Sequence, residues 1–108
     1  MARAFQVNHQ LTPQDLSITI QDQNGLNFSP YAISYAFYGK GNGIPYRVGI
    51  GANLPSSEDE GVFYASNKIS NSFLKGDYYC EWVIKRTEDS PSEIVARQEF
   101  TVYSEKSY

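Results

Sequence analysis

The chain is 108 residues long, enough for one compact domain with a core of its own and too short for a catalytic domain plus an accessory one. Nine Tyr, six Phe and one Trp bring aromatics to 15% while charged residues stop at 19%, against about 25% in a typical soluble domain, which excludes a disordered or collagen-like chain. A net charge of -3 offers no global attraction to nucleic acid or anionic membranes, no apolar run is long enough to span a bilayer, and the single cysteine, Cys80, rules out an internal disulfide or a thiolate cluster.

Met1 to Gln14 is mostly polar, with Phe5, Val7 and Leu11 as isolated apolar points and Pro13 as a stop, and is expected to be an extended arm preceding a domain over residues 15–108. No apolar leader core is evident in MARAFQVNHQ, so folding in a reducing cytoplasm is expected. From Asp15, the apolar residues Leu16, Ile18 and Ile20 alternate with Ser17, Thr19 and Gln21, the period-2 signature of a half-buried strand. Asp22-Gln23-Asn24-Gly25 then reads as a tight turn, because Asn and Gly tolerate positive φ.

A second strand is predicted from Ala32 to Tyr38, with Ile33, Tyr35 and Phe37 on one face. Gly39 to Gly43 holds three glycines in five residues and reads as a flexible reversal, followed by a shorter strand at Tyr46 to Ile50. Gly51 to Gly61, with Pro55 and the acids Glu58-Asp59-Glu60, is expected to be an exposed loop before a strand at Val62 to Ala65. Ser66 to Lys75 admits one helical turn or a loop. The strongest strand is Asp77 to Lys85, which should bury Tyr78, Cys80, Trp82 and Ile84 and turn Tyr79, Glu81, Val83 and Lys85 outward. After a polar turn around Pro91, Ile94 to Tyr103 closes the chain, with Phe100 and Val102 facing inward.

Six or seven short strands separated by turns, with no amphipathic segment long enough for a crossover helix, predict an antiparallel β-sandwich. Its core would use Tyr35, Phe37, Tyr64, Tyr78, Trp82 and Phe100, with Phe28 and Phe73 plugging the ends. Tyr31, Tyr38, Tyr46, Tyr79, Tyr103 and Tyr108 would stay at the surface.

The chemistry of an enzyme is hard to assemble from this chain. The only histidine, His9, falls in the expected arm, and Cys80 lies between inward residues where a free thiol is a small core residue. The acids at 58–60, with Asp22 and Asn24, lack the spacing of a calcium loop. Glycines 39, 41 and 43 are not followed by a helix that could hold a phosphate, and no carboxylate pair sits on inward positions. Lys40, Tyr46 and Arg47 lie together, but Lys85 and Arg86 are at the far end of another strand, which is not the basic, aromatic-lined face that nucleic acid requires. No catalytic site, cofactor or metal is expected. The surface tyrosines suit contact with protein, since Tyr offers large contact area at low entropic cost.

Gly76-Asp77-Tyr78-Tyr79-Cys80 resembles the penultimate strand of immunoglobulin-like domains, where the Tyr of a Tyr-x-Cys ties the strand to the preceding loop. Over Asp15 to Tyr103 the chain is similar to small immunoglobulin-like sandwich proteins of tailed bacteriophage virions. The matching elements are the strand at Leu16 to Ile20 with its turn at Asp22 to Gly25, Pro30 with Ile33-Ser34-Tyr35, Gly61-Val62-Phe63-Tyr64, Gly76-Asp77-Tyr78 with Trp82, and Gln98 to Val102. The resemblance implies an immunoglobulin-like sandwich in a non-enzymatic virion component of the capsid surface, neck or tail, made in the host cytoplasm, present in symmetric copies and bound to other virion proteins. Phe5 and Val7 on the arm, with Tyr38, Tyr46 and Arg47 on the domain, are the expected partner-binding residues. The alternative is a carbohydrate- or receptor-binding module of a tail or baseplate that uses Tyr38, Tyr46 and Arg47.

Overall fold

The computed structural model describes residues 3–41, 44–69 and 73–103, none of which is helical. Eight strands follow in chain order: β1 (Arg3–Gln6), β2 (Ser17–Thr19), β3 (Ala32–Gly41), β4 (Ile44–Asn53), β5 (Ser56–Asp59), β6 (Val62–Tyr64), β7 (Gly76–Lys85) and β8 (Ser92–Tyr103). They form a five-stranded sheet in the order β1-β8-β7-β3-β4 and a three-stranded sheet in the order β2-β6-β5. The two sheets close over one apolar cluster, which makes the protein an all-β sandwich.

The core follows the alternation. Tyr78, Cys80, Trp82 and Ile84 on β7 are buried, as are Tyr35 and Phe37 on β3 and Phe100 and Val102 on β8. Aromatic rings pack the core of the large sheet. Tyr35 meets Trp82 at 5.1 Å, Phe37 meets Phe100 at 5.7 Å and Phe73 at 5.5 Å, and Tyr78 stacks on Phe100 at 5.6 Å. Fully buried Trp82 still needs a partner for its indole N–H. It donates to Gln98 Oε1 at 3.0 Å, and Gln98 Nε2 donates to the Ser17 carbonyl at 2.7 Å, so one polar chain links the sheets through the core. The Tyr78 hydroxyl donates to the Leu74 carbonyl, tying β7 to the segment before it.

The expected arm is instead part of the sandwich. β1 runs parallel to β8 with Phe5 opposite Val102, Phe5 is only 6% exposed, and Leu11 is buried. Val7 packs half-buried against the same cluster. Asn8 turns the chain with φ at 77°, after which the Asn8 and Leu11 amides bond to the carbonyls of Ile69 and Asn67, and the Ile69 amide bonds to His9 O. Isolated apolar points look like an arm because their partners, at Phe100 and Val102, are almost the whole chain away. One inward side chain is all that a four-residue edge strand needs.

Three smaller differences follow from pairing. Phe63, not Tyr64, fills the core: β2 buries the Leu16–Ile18–Ile20 side, residues directly opposite share a face, and the registers are Ile18 with Phe63 and Ser17 with Tyr64. Ser56–Asp59 is β5, paired with β6, within what composition predicted to be loop. The glycine-rich reversal is shorter than expected, because β3 continues to Gly41 and β4 begins at Ile44, with residues 42–43 outside the described residues. Of Ser66 to Lys75, the described residues 66–69 and 73–75 are non-helical, and Lys68 bridges to Gln10.

Candidate protein-docking face

A two-layer sandwich has two outward faces, and these differ in chemistry. On the small sheet, the register places Ser17, Tyr64 and Ser56 in one outward row and Thr19, Val62 and Asp59 in the next, a surface dominated by short polar side chains. On the large sheet, Arg47, Tyr38, Tyr79 and Glu99 form one outward row across β4, β3, β7 and β8, with Ala36, Glu81 and Arg97 in the row beside it. Lys40 and the Asp77–Thr101 pair lie to the other side, and the Val83–Ile94 pair lies beyond Glu81, with Ile94 52% exposed.

These side chains hold one another in place. Tyr38 and Tyr79 stack at 5.2 Å with 15° between their planes, Lys40 Nζ lies 5.8 Å from the Tyr79 ring centre, and the Arg97 guanidinium lies 5.9 Å from it. Lys40 Nζ donates to Glu99 Oε2 at 2.5 Å and Arg97 Nε to Glu81 Oε2 at 3.0 Å. The hydrogen bond from Lys40 to Glu99 raises the lysine's pKa above its ordinary value. Stacking and ion pairing across neighbouring strands hold these side chains together on one face.

Of the five sequence-predicted contact residues, the fold brings Tyr38 and Arg47 together, as direct cross-strand neighbours on this face. Tyr46 is opposite Gly39 in the register, and its side chain, like Tyr108, lies outside the described part of the structure. Phe5 is in the core and Val7 packs against it, so neither is a free anchor. Sequence reasoning placed Tyr79 and Glu81 outward and Lys40 beside Arg47, but missed Arg97 and Glu99 and did not join Lys40, Glu81, Arg97 and Glu99 to the tyrosines as one constellation. They come from three strands and become neighbours only through register, and no periodicity in one strand reports that.

Several other polar side chains brace the turns that carry them. His9 Nε2 meets Asp15 Oδ2 at 2.9 Å, and the same oxygen accepts the Thr12 amide at 2.8 Å and the Thr12 hydroxyl at 3.1 Å. This closes the turn after β1, and the imidazole stacks on the buried Phe5 ring at 5.3 Å. Asp22 Oδ1 accepts the amides of Asn24 and Leu26 at 2.8 and 3.0 Å, so it braces its own turn. Burial pushes the Cys80 thiol well above its ordinary pKa, which removes the thiolate as a nucleophile. Among the described residues no three His, Cys, Asp or Glu side chains gather closely enough to hold a metal ion. A cleft of about 650 Å³ between the Asp22 turn and the β7–β8 turn is walled by Phe28 and Arg86, but that guanidinium is engaged by Glu93 at 2.6 Å. No protein family matches the chain, and neither a curated protein nor a solved structure matches it significantly.

Proposed function

We propose that this is a non-enzymatic binding protein that docks onto protein partners through the outer face of its five-stranded sheet, as a structural component of a tailed-phage particle. The observation that carries the docking reading is the Tyr38–Tyr79 stack, clamped by Lys40 and Arg97 and ringed by paired charges. A half-buried aromatic centre with a polar rim is the anatomy of a protein contact. The same geometry weighs against sugar stacking on Tyr79, whose ring already has Tyr38 and two cations against it, and takes one face of the Tyr38 ring.

The placement in a virion rests on the resemblance drawn from the sequence. Two structural features support its immunoglobulin-like part. The large sheet takes the G-F-C-C′ order of a variable-type domain with β1 parallel to the last strand, and the small sheet takes the order B-E-D. The Tyr78 hydroxyl closes a tyrosine corner two residues before Cys80. With Phe5 in the core, attachment through an N-terminal arm is replaced by attachment through the face.

The test is incorporation into particles made with a tagged copy. Tyr38→Ser combined with Arg97→Glu should leave the far-ultraviolet circular dichroism unchanged and reduce incorporation by about thirtyfold, the loss of one interface hot spot. Thr19→Glu, on the opposite face, should be incorporated normally. A face variant that enters particles as efficiently as the unaltered chain sinks the proposal, as does absence of the protein from purified particles.

A further inference from the structure

We propose that the first partner of this face is a second copy of the chain, packed sheet on sheet about a two-fold axis running parallel to the strands between β3 and β7. The inference rests on the docking reading above and names its partner. A rotation about such an axis keeps each row in place and exchanges the strands on either side of it, so β4 comes to lie over the partner's β8, and β3 over the partner's β7. The observed rows then complement themselves. Arg47 faces the position of Glu99, Tyr38 faces that of Tyr79, and Lys40 faces that of Asp77.

Arg47, Glu99, Lys40 and Asp77 therefore each meet an opposite charge, every such contact occurring twice, while Glu81, already paired to Arg97 in its own copy, lies over Ala36, and the two Tyr pairs converge on the axis. Reversing the arrangement, with the axis across the strands, carries no such match: Arg47 would then lie over β4 itself. Glu99 is 70% exposed while paired to Lys40, which leaves it able to accept a second cation. Lys40 already feels Asp77 as well as Glu99.

Size is consistent with a reversible contact. Strands of ten residues rising about 3.3 Å each, spread over the three interstrand spacings of about 4.8 Å among the four overlapping strands, give a face on the order of 500 Å² per copy. Two copies bury roughly 1,000 Å², the size of a weak, reversible interface. Aligned packing of sheets about 30° apart is a favoured way for two such surfaces to meet. An isologous pair of this kind is also a closed unit, which keeps the assembly from growing into filaments.

Sedimentation velocity of the full chain from 1 to 200 µM tests the pairing, and charge exchange identifies the contact. The unaltered chain should pass from monomer to dimer within that range. Arg47→Glu and Glu99→Lys should each weaken self-association at least tenfold, since each places like charges over one another at both symmetry-related contacts. An equimolar mixture of the two should dimerise as well as the unaltered chain, because both contacts are again of opposite sign. Thr19→Glu should change nothing.

A monomer at 200 µM overturns the proposal, and so does a mixture that fails to recover or a dimer broken by Thr19→Glu and not by Arg47→Glu. Should Glu99→Lys unfold, Tyr38→Ser gives the same reading of the contact without altering charge. A monomer whose face variants still fail to enter particles would overturn the dimer and keep the docking reading. A dimer whose face variants enter particles normally would do the reverse.

Discussion

Asp15 Oδ2 collects three donors, from His9 and from the Thr12 amide and hydroxyl, and its pKa records the balance of opposing effects. Partial burial raises it, but the hydrogen bonds from His9 and Thr12 outweigh that, so the carboxyl titrates below its ordinary 3.8. A carboxylate with a depressed folded-state pKa stabilises the fold fully above its unfolded value and loses that contribution as pH falls through the folded one. Asp15→Asn should therefore cost about 1 to 2 kcal/mol at pH 7, with the difference from the unaltered chain shrinking once the pH drops below about 4. Urea unfolding at neutral and acid pH measures both numbers. None of this was legible at His9 in the sequence, where the histidine stood in an expected arm. Cys80 was legible, because Tyr78 and Trp82 on either side placed it on the inward side of an alternating strand.

At the scale of elements, alternation was a sound guide wherever one strand carried enough residues to show it. β7 and β3 came out with the expected faces, and β2 did too, though only Ser17–Thr19 is paired. Short strands were the weak point. β6 has three residues, and its face was decided by the partner across from it rather than by its own pattern. The turn before β6 shows how tightly that pairing is built. Gly61 has φ at 78°, and a Cβ there would lie 2.9 Å from both the Ile20 carbonyl oxygen and the Phe28 amide nitrogen. Backbone atoms cannot swing aside as a flexible side chain can. Gly61→Ala should thus combine left-handed strain with displacement of the β2–β3 connection, for a loss of about 2 to 4 kcal/mol in chemical denaturation. Gly25, also at positive φ but with open space around it, should lose only the conformational part, about 1 kcal/mol.

For the molecule as a whole, one apolar cluster spans both sheets and reaches the first strand. Phe5 packs on Phe100 at 5.5 Å and belongs to the same buried set as Trp82 and Leu16. A free arm would make Phe5→Ala nearly silent, within about 0.5 kcal/mol for an exposed site. The integrated strand instead predicts a loss of about 3 to 5 kcal/mol in a single cooperative unfolding transition, because the change opens a ring-sized cavity in the shared core. Equilibrium urea unfolding followed by tryptophan fluorescence reads it, since Trp82 reports from the centre of that core.

The order of apolar and polar residues along the chain was sufficient by itself for the all-β class, the inward faces of the longer strands and the buried thiol. All of these depend on neighbours within a few residues, where strand geometry makes alternate side chains share a face. What only the tertiary structure decided is which distant segments meet: β1 against β8, Gln98 bridging Trp82 to Ser17, and Tyr38, Tyr79, Lys40, Arg97 and Glu99 gathered on one face. Strand order and register arise from the collective closure of the core. A one-residue slip in either would leave each strand's pattern unchanged while taking that face apart.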